Sequence, residues 1–463
     1  MTLYAALTAG DPAAAALVDP DGGTVAFGRL AEWTDPWARA LATPGKALVV
    51  CLAGRNPATV RCWLAAVRLG HAVAMLDAGM PAAARDRFLA AYEPDLLACC
   101  DGDVPPPPGY GPAGPVPGGT LWRRLTPAAG EPHPDLALVL STSGTTGNPK
   151  TVRLSYGNVA ANARGIAASL GLTGADRSAT ALPLHFGYGL SVVASHLIAG
   201  AGVAVLPDPP TGRAFWRRFV ATGCTGFPGV APTYELLARM LPELDRVPAL
   251  RLMTSSGSRL RDEVVLRYAD WLDRRGGRLF MMYGQTESTS RMTCLHPRHL
   301  PERVGSVGTA IPGGSLEIVH PQGGSGDIVY TGPNVMLGYA EGRADLALGD
   351  VTGGVLATGD LGRLDGGFLY LTGRRKRIAK VLGLRISLDD VERLFEDAGV
   401  TAAVDGGDRV LLFTDGPTDR LESARGPVAA ELGIPASLVT VRRVAALPRT
   451  ATGKLDYRAL PAS

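Results

Sequence analysis

The chain has 463 residues, 46% hydrophobic and 19% charged, which indicates a globular protein too long for one compact core. Its formal net charge of +3 is too small for a surface built to bind a polyanion, so no nucleic-acid partner is expected. The most apolar window, residues 189–207, contains His196 and several glycines and predicts a buried helix and strand, with no membrane partner.

The six cysteines and the N-terminal residues indicate in which cellular compartment the protein is expected. No two cysteines form a CxxC pair, and several lie in apolar runs, which indicates buried free thiols in a reducing cytosol. The N-terminus lacks a basic region followed by a long apolar core, so no signal peptide is predicted. The expected location is cytoplasmic.

The first third alternates strand and helix signals. Residues 47–52 predict a short buried strand, residues 57–69 a helix with proline near its start, and residues 72–76 the next strand. This alternation favours a mostly parallel sheet covered by helices. Residues 104–119 include four consecutive prolines and predict a surface connector rather than a core element.

The remainder falls into three stretches. A second strand-helix series runs from residue 136 to about 272, and residues 303–370 predict short strands with Gly-rich turns, a small β subdomain. The tail beyond residue 374 looks separate, with a capping box at 387–390, a strand at 410–413 and a helix at 421–432. The predicted class is α/β, with a large domain of mixed and parallel sheets flanked by helices, a small β subdomain and a small α+β C-terminal domain.

A loop suited to phosphate follows the buried strand at residues 136–140. Hydroxyl, glycine and lysine residues can surround phosphate oxygens with donors and positive charge. These residues are Thr142, Ser143, Gly144, Thr145, Thr146, Gly147 and Lys150. The loop is not a Walker A motif, because Pro149 precedes the lysine and removes an N–H donor. The alternative interpretation is a polar surface turn.

Three further segments follow this loop in chain order. They are residues 283–287 (Tyr-Gly-Gln-Thr-Glu), residues 358–360 (Thr-Gly-Asp) with Gly373 and Arg374, and residues 448–455 ending in Gly-Lys-Leu. Together with the loop they resemble the adenylate-forming superfamily of acyl-CoA synthetases, nonribosomal peptide adenylation domains and firefly luciferase. The resemblance covers essentially the whole chain.

The resemblance implies nucleotide contacts. The loop at 142–150 would cover the β- and γ-phosphates, and Asp360 would bind the ribose hydroxyls with help from Arg374. Thr286 would touch the α-phosphate and Glu287 would hold Mg²⁺, a hard cation that prefers oxygen ligands. The remaining expected nucleotide contacts are Ser256, Gly257, Ser258, Tyr283, Gly284 and Gln285. Ser258 stands where the family usually has alanine.

The resemblance also implies two domains, residues 1–374 and a mobile lid at 375–463. Lys454 in the lid would be catalytic with Thr286 and Glu287, bridging the acid's oxygen and the α-phosphate. The hinge would lie at Lys376. Lys380 and Gly383 would belong to the segment that swings inward for the second half-reaction.

The acid pocket is expected around residues 183–190 and 227–234. The predicted lining residues are His185, Phe186, Tyr188, Gly229 and Tyr234. No aspartate lies between Leu182 and Ser191 to pair an α-ammonium, so an α-amino acid is not expected. The residues favour a small aryl or short acyl acid.

The predicted reaction uses ATP and Mg²⁺ to form an acyl-AMP with release of pyrophosphate. Transfer would follow to a thiol of coenzyme A or of the phosphopantetheine on a free-standing carrier protein. Activation of nitrite for diazotisation, or acyl transfer to an amine, is the alternative within the family. A non-catalytic nucleotide-binding protein is the alternative from another class.

Overall fold

The computed structural model describes residues 2–102, 104–141, 151–238, 244, 246–322, 324–374, 377–381, 384–432, 434–450 and 454–460. The chain divides into two compact units, Met1–Ser315 with Tyr330–Leu356 and Leu316–Val329 with Ala357–Ser463. The second unit includes part of the predicted small β subdomain, residues 316–329 and 357–370. The predicted boundary after residue 374 stays a prediction.

Strands and helices alternate along much of the chain. The strands are β1 Ala15–Val18, β2 Thr24–Ala26, β3 Leu48–Ala53, β4 Ala72–Asp77, β5 Leu96–Cys99, β6 Tyr110–Pro112, β7 Thr120–Arg124, β8 Leu136–Ser141, β9 Thr151–Ser155, β10 Arg177–Ala179, β11 Gly202–Ala204, β12 Gly226–Gly229, β13 Leu252–Ser255, β14 Arg278–Tyr283, β15 Thr293–Leu295, β16 Thr309–Ala310, β17 Ser315–Gln322, β18 Ser325–Thr331, β19 Gly338–Ala340, β20 Val355–Asp365, β21 Phe368–Arg374, β22 Ile378–Val381, β23 Leu384–Ser387, β24 Ala402–Asp405, β25 Val410–Thr414 and β26 Val439–Arg443. The helices are α1 Leu3–Leu7, α2 Leu30–Leu41, α3 Pro57–Arg68, α4 Ala82–Tyr92, α5 Tyr156–Leu170, α6 Gly187–Ile198, α7 Arg213–Ala221, α8 Ala231–Leu237, α9 Asp262–Asp273, α10 Leu388–Leu394 and α11 Asp419–Glu431.

Two large sheets build the first unit. One has the strand order β16-β15-β14-β13-β12-β10-β11-β1-β2, and the other has the order β19-β9-β8-β4-β3-β5-β7-β6. Strands β12, β13 and β14 run parallel to one another, as do β5, β3, β4 and β8. The predicted α/β class, with large mixed sheets flanked by helices, is confirmed.

Local sequence explains where several elements begin and end. Helix α3 begins after Asn56, whose side chain accepts a hydrogen bond from the Thr59 N–H, and Pro57 occupies the first helical position. Helix α5 begins with a capping box between Ser155 and Asn158 and ends at Gly171, whose φ is 62°. These signals place the ends of helices independently of the packing behind them.

The prediction of a surface connector for the Pro-rich stretch is wrong in part. Residues Tyr110–Pro112 form β6, which pairs antiparallel with β7 at the edge of the eight-stranded sheet. The Tyr110 hydroxyl donates to the Pro94 carbonyl, and Val104 is buried in the core. An edge strand tolerates proline because its outer N–H groups need no partner, so proline content alone cannot exclude it.

The second unit contains a small core of its own. Strands order as β17-β18-β20-β21 in one sheet, β22-β23 in a hairpin and β24-β25-β26 in a third sheet. The predicted cap is confirmed, since the Ser387 side chain accepts a hydrogen bond from the Asp390 N–H at the start of α10. Arg377 joins these elements by pairing with Asp389 and, at 2.7 Å, with Glu392, while its guanidinium stacks on the Tyr457 ring at 3.8 Å.

Replacing Arg377 by methionine is expected to lower the free energy of unfolding by about 2 kcal/mol at pH 8, because Glu392 then remains buried without its cation. Burial already raises the pKa of Glu392 against the opposing attraction of Arg377, so the substitution raises it further. A carboxyl group with a raised pKa in the folded state loses stabilisation as pH rises through that value. The deficit should therefore shrink near pH 4.

Chemical denaturation of both proteins at pH 4 and pH 8 measures this difference. Arg425→Met is the matched control, because Arg425 pairs with Glu422 on the exposed face of α11 and should contribute within about 0.5 kcal/mol. A deficit of equal size at both pH values would contradict the assignment.

Candidate active site

Three predicted segments follow neighbouring parallel strands of the nine-stranded sheet. Gly229 ends β12, Ser256 follows β13, and Gly284 follows β14. In register, Gly229 lies beside Ser255, which lies beside Met281. Because the carboxyl ends of parallel strands meet at one edge, the structure brings these segments together, at the place where open α/β sheets bind ligands.

The turn after β13 depends on glycine. Gly257 has a φ of 90°, and a Cβ atom there would lie 3.7 Å from Val230 and 3.9 Å from Phe186. Ser256 is buried and its N–H donates to the Gly229 carbonyl at 3.4 Å, while Ser258 is half-buried. A flat, side-chain-free backbone beside an aromatic ring fits the close approach of a planar ligand such as adenine.

The segment after β14 is a tightly held loop. Residues Thr286–Ser288 form a 3-10 turn; the Gln285 N–H donates to the Ser288 hydroxyl, and that hydroxyl donates to the Gln285 carbonyl. A Cβ atom at Gly284 would lie 2.0 Å from the Ser290 carbonyl oxygen, so the loop folds directly over this glycine. Thr289 and Ser290 have φ values of 60° and 131°, a strained conformation of the kind found at functional sites.

Glu287 lies in this loop with a partly exposed carboxylate. The Tyr339 hydroxyl donates to its Oε1 at 2.9 Å, and its own carbonyl accepts the Met336 N–H at 2.8 Å. Burial, followed by the neighbouring carboxylate, raises the pKa of Tyr339, so the hydroxyl keeps its proton and continues to donate. One positioned carboxylate fits a Mg²⁺ ion whose other ligands are phosphate oxygens and water.

The predicted acid-pocket segment leads into α6. The His185 Nδ1 lies 3.9 Å from Asp77 Oδ1 at the end of β4, and burial lowers its pKa. The Tyr188 hydroxyl donates to the Thr254 carbonyl at 2.8 Å, on β13 of the other sheet. The segment therefore contacts the carboxyl ends of both large sheets, and Phe186, between these residues in sequence, packs on the cluster that contains Tyr188.

Gly229 and Tyr234 are packed within the protein core behind the predicted acid pocket. Tyr234 is fully buried, its hydroxyl donates to the Thr254 carbonyl at 2.9 Å, and a Cβ atom at Gly229 would lie 2.6 Å from its ring. Their part in binding the acid stays a prediction.

A small cavity lies behind Tyr188. Pro228 and Thr254 contribute to one side of it and Val192 and His196 of α6 to another, while Arg291 is its charged member. Sequence reasoning missed Arg291. The available signal was an arginine placed between a run of hydroxyl residues and the buried strand β15.

The second unit carries the expected ribose-binding pair. Asp360 on β20 is the register partner of Arg374 on β21, and Arg374 Nε lies 3.0 Å from Asp360 Oδ1. The Asp360 side chain is 7% exposed and that of Arg374 is 60% exposed. The structure therefore fixes the carboxylate at the sheet while the guanidinium reaches into solvent.

Lys454 lies within the last predicted motif, also in the second unit. Its carbonyl oxygen accepts hydrogen bonds from the N–H and hydroxyl of Thr450, and Arg449 forms an isolated antiparallel β-bridge with Leu455. Leu455 and Tyr457 pack on the core formed by Phe413 and its neighbours. The backbone of Lys454 is thus held to the three-stranded sheet.

Other predicted site residues lie at or beyond the limits of the described structure. The backbone of Lys380 lies on β22, in register with Arg385 of β23. Strands β8 and β9, which flank the predicted phosphate loop, pair antiparallel at Ser141 and Thr151. The residues outside the described ranges are Thr142, Ser143, Gly144, Thr145, Thr146, Gly147, Lys150, Lys376 and Gly383.

Comparison with known proteins gives one family. The AMP-binding enzyme family matches residues 5–340. An oxalate–CoA ligase from Saccharomyces cerevisiae is 32% identical over 260 residues, 55% of this chain and 47% of the relative. A sulfoacetate–CoA ligase from Cupriavidus necator is 31% identical over 347 residues, 70% of this chain and 67% of the relative.

The sequence match thus spans about half the length of the first relative. Among solved structures, an o-succinylbenzoate coenzyme A synthetase from Bacillus subtilis, in complex with ATP and magnesium ion, superposes with a TM-score of 0.77. It is 24% identical, and the superposition covers 99% of this chain and 98% of that one. This likeness extends the shared fold to both units.

Proposed function

Because the chain belongs to the AMP-binding enzyme family, part of the adenylate-forming superfamily, we propose that it activates a small carboxylic acid with ATP. The observation that carries the proposal is the meeting of Gly229, Ser256, Gly257 and the Tyr283–Glu287 loop at the carboxyl ends of β12, β13 and β14. Ligase activity on oxalate and sulfoacetate in the two relatives supports a small acid and coenzyme A as acceptor.

In the proposed first step, a carboxylate oxygen of the acid attacks the α-phosphorus of ATP. A P–O bond forms, the bond from the α-phosphorus to the bridging oxygen breaks, and pyrophosphate leaves. In the second step a thiolate sulfur attacks the acyl carbon, a thioester forms, and AMP leaves with both electrons of the broken C–O bond. The thiol's proton passes to solvent.

The residues of the first unit would bind and orient the nucleotide. Gly257 and Tyr283 would enclose the adenine ring, with Ser256, Ser258, Gly284 and Gln285 around it, and Phe186 would belong to the acid pocket. Thr286 would donate to the α-phosphate. Glu287, held by Tyr339, would supply the carboxylate for Mg²⁺, which neutralises phosphate charge when bound. The hydroxyl, glycine and lysine residues at 142–150 would cover the outer phosphates.

Asp360 would accept hydrogen bonds from both ribose hydroxyls, with Arg374 assisting, since a carboxylate suits two adjacent donors. Residues 375–463 would act as a mobile lid. Lys454 would oppose the repulsion between the acid and the phosphates. Lys376 would serve as hinge, with Lys380 and Gly383 in the segment used for acyl transfer. A carrier-protein thiol is the second acceptor we propose to test.

We further propose a cytoplasmic location, since all six cysteines are free and buried, as suits a reducing compartment. Among the described residues, no helix combines the length and apolar character needed to span a bilayer.

ATP–pyrophosphate exchange across a panel of organic acids tests the activity. We expect acid-dependent exchange with small carboxylic acids, and formation of a thioester when coenzyme A or a phosphopantetheinylated carrier is added. Exchange driven by nitrite, or product formed only with an amine, would replace the proposal by the corresponding alternative. Nucleotide binding without exchange for any acid would indicate a non-catalytic protein.

A further inference from the structure

A buried cation lies at the edge of the proposed acid pocket. Arg291 is 2% exposed, and its guanidinium stacks on the Tyr188 ring with Cζ 3.6 Å from the ring centroid. Its Nη1 donates to the Ser290 carbonyl and contacts the Ser290 hydroxyl. Its Nε is buried and has no hydrogen-bond partner among the described residues.

Within the described residues, the charge of this guanidinium is balanced by the Tyr188 ring and not by a carboxylate. No described carboxylate forms an ion pair with Arg291, and the described residues that line the cavity include no aspartate or glutamate. Burial lowers the pKa of Arg291, but an arginine retains its proton in proteins. A buried charge without an anionic partner is costly, so its presence beside a cavity points to an anion that arrives from outside.

The other polar groups of the cavity do not supply that anion. Burial lowers the pKa of His196 to about 4, so its ring is neutral at pH 7, and its Nδ1 donates to the Val192 carbonyl. Ser191 and Ser195 donate to carbonyls of their own helix. Among the described lining residues, Arg291 is therefore the group that can bind an anion.

The backbone of Arg291 is fixed by side chains from outside its loop. The Asn162 amide donates to the Arg291 carbonyl at 2.9 Å, and the Asn334 amide donates to the same oxygen at 2.8 Å. The strained φ angles of Thr289 and Ser290 precede it directly. A strained loop that is held by side chains from other elements, and that carries a cation without a carboxylate partner among the described residues, is typical of a preorganised binding site.

We propose that Arg291 binds a second anionic group of the substrate, so that the acid activated by this protein is a short diacid. The first carboxylate would react with ATP, and the second oxyanion, a carboxylate or a sulfonate, would accept from the guanidinium against Tyr188. The inference rests on the proposed function for the identity of the reacting group. The binding of the second group rests on the buried Arg291 and its Nε, unpartnered in the described part of the chain, beside a small cavity of about 10 Å³.

Matched acid pairs test the inference in the exchange assay: propionate with malonate, butyrate with succinate, and acetate with sulfoacetate. The wild type should prefer the doubly acidic member of at least one pair. In Arg291→Gln, the ratio of kcat/KM for the diacid to that for its monoacid partner should fall on the order of 10²–10³-fold. Arg291→Lys keeps the charge and should recover part of that ratio. Preference for the monoacid in every pair, or an unchanged ratio in Arg291→Gln, would overturn the inference.

A binding measurement distinguishes failure of the diacid inference from failure of the proposed adenylation activity. Diacids should raise the melting temperature of the wild type in the presence of AMP, and this shift should disappear in Arg291→Gln even if no acid supports exchange. Without ligand, Arg291→Gln should melt at or above the wild-type temperature, because a buried charge that no described carboxylate pairs has been removed. A lower melting temperature, together with an unchanged diacid shift, would indicate a purely structural arginine.

Arg298→Gln is the matched control, because Arg298 lies on the same segment with an exposed side chain. It should retain the wild-type diacid preference and the wild-type ligand-induced shift. Comparison of the preference for malonate or succinate with the preference for sulfoacetate shows whether Arg291 favours a carboxylate or a sulfonate.

Discussion

Replacement of Lys454 by alanine should lower the rate of acid-dependent ATP–pyrophosphate exchange by on the order of 10²–10³-fold. Two anions must meet for the acid to attack the α-phosphate, and charge develops on phosphate oxygens as the bond to pyrophosphate breaks. A positioned ammonium stabilises that charge more in the transition state than in the ground state, so kcat should fall more than the affinity for ATP changes. Exchange kinetics at saturating acid and ATP measure the effect.

Two controls isolate the ammonium from the fold around it. Arg458→Ala removes an exposed cation four residues away and should retain the wild-type rate. The thioester-forming step can be started from a supplied acyl-adenylate and should be less affected in Lys454→Ala. No pyrophosphate is displaced in that step, so it does not need the contact between Lys454 and the phosphates of ATP. Wild-type exchange in Lys454→Ala would remove the lysine from the proposed mechanism.

Gly284→Ala is the second substitution with a large expected effect. The new Cβ would lie 2.0 Å from the Ser290 carbonyl oxygen and 2.6 Å from the Arg291 Cα, both of them backbone atoms. Backbone must move to relieve such contacts, and overpacking of this kind costs about 1–3 kcal/mol or more. The loop that carries Thr286 and Glu287 should shift with it, so exchange activity should be lost as stability falls.

Chemical denaturation and the exchange assay together measure this outcome. Gly157→Ala provides the comparison, because Gly157 is exposed near the start of α5 with only an ordinary contact of 3.4 Å at its Cβ position. That substitution should be neutral or stabilise by about 0.4–1 kcal/mol and should leave exchange intact. A Gly284→Ala protein with wild-type stability and activity would contradict the close packing of the loop.

The regular elements of the first unit could be predicted to within a residue or two. Residues 47–52 and 72–76 predict strands, and the structure has β3 at Leu48–Ala53 and β4 at Ala72–Asp77. Strands buried on both faces are unbroken apolar runs, and helix α3 is marked by its cap and proline. The strand β6 could not be predicted, because its proline content is typical of a loop and only pairing with β7 makes it a strand.

The candidate site divides along a similar line. Motif order predicts that Gly257, Tyr283 and Glu287 share a site, and their strands are indeed neighbours. The burial of Arg291, and with it the proposed role, could not be predicted, because a run of hydroxyl residues followed by arginine is equally typical of an exposed turn. Its burial depends on Asn162 and Asn334, which are more than forty residues away in either direction.

The buried amides of Asn162 and Asn334 have an evolutionary consequence. Each donates to the Arg291 carbonyl and also to the carbonyl of Ser288, which is the residue next to Glu287. Changes that alter the backbone near Arg291, the proposed substrate-binding end of this loop, are therefore expected to disturb the proposed metal-binding end at Glu287 as well. Selectivity for a new acid is accordingly expected to evolve with less loss of turnover through Val192 and Pro228, on elements that lie outside this loop.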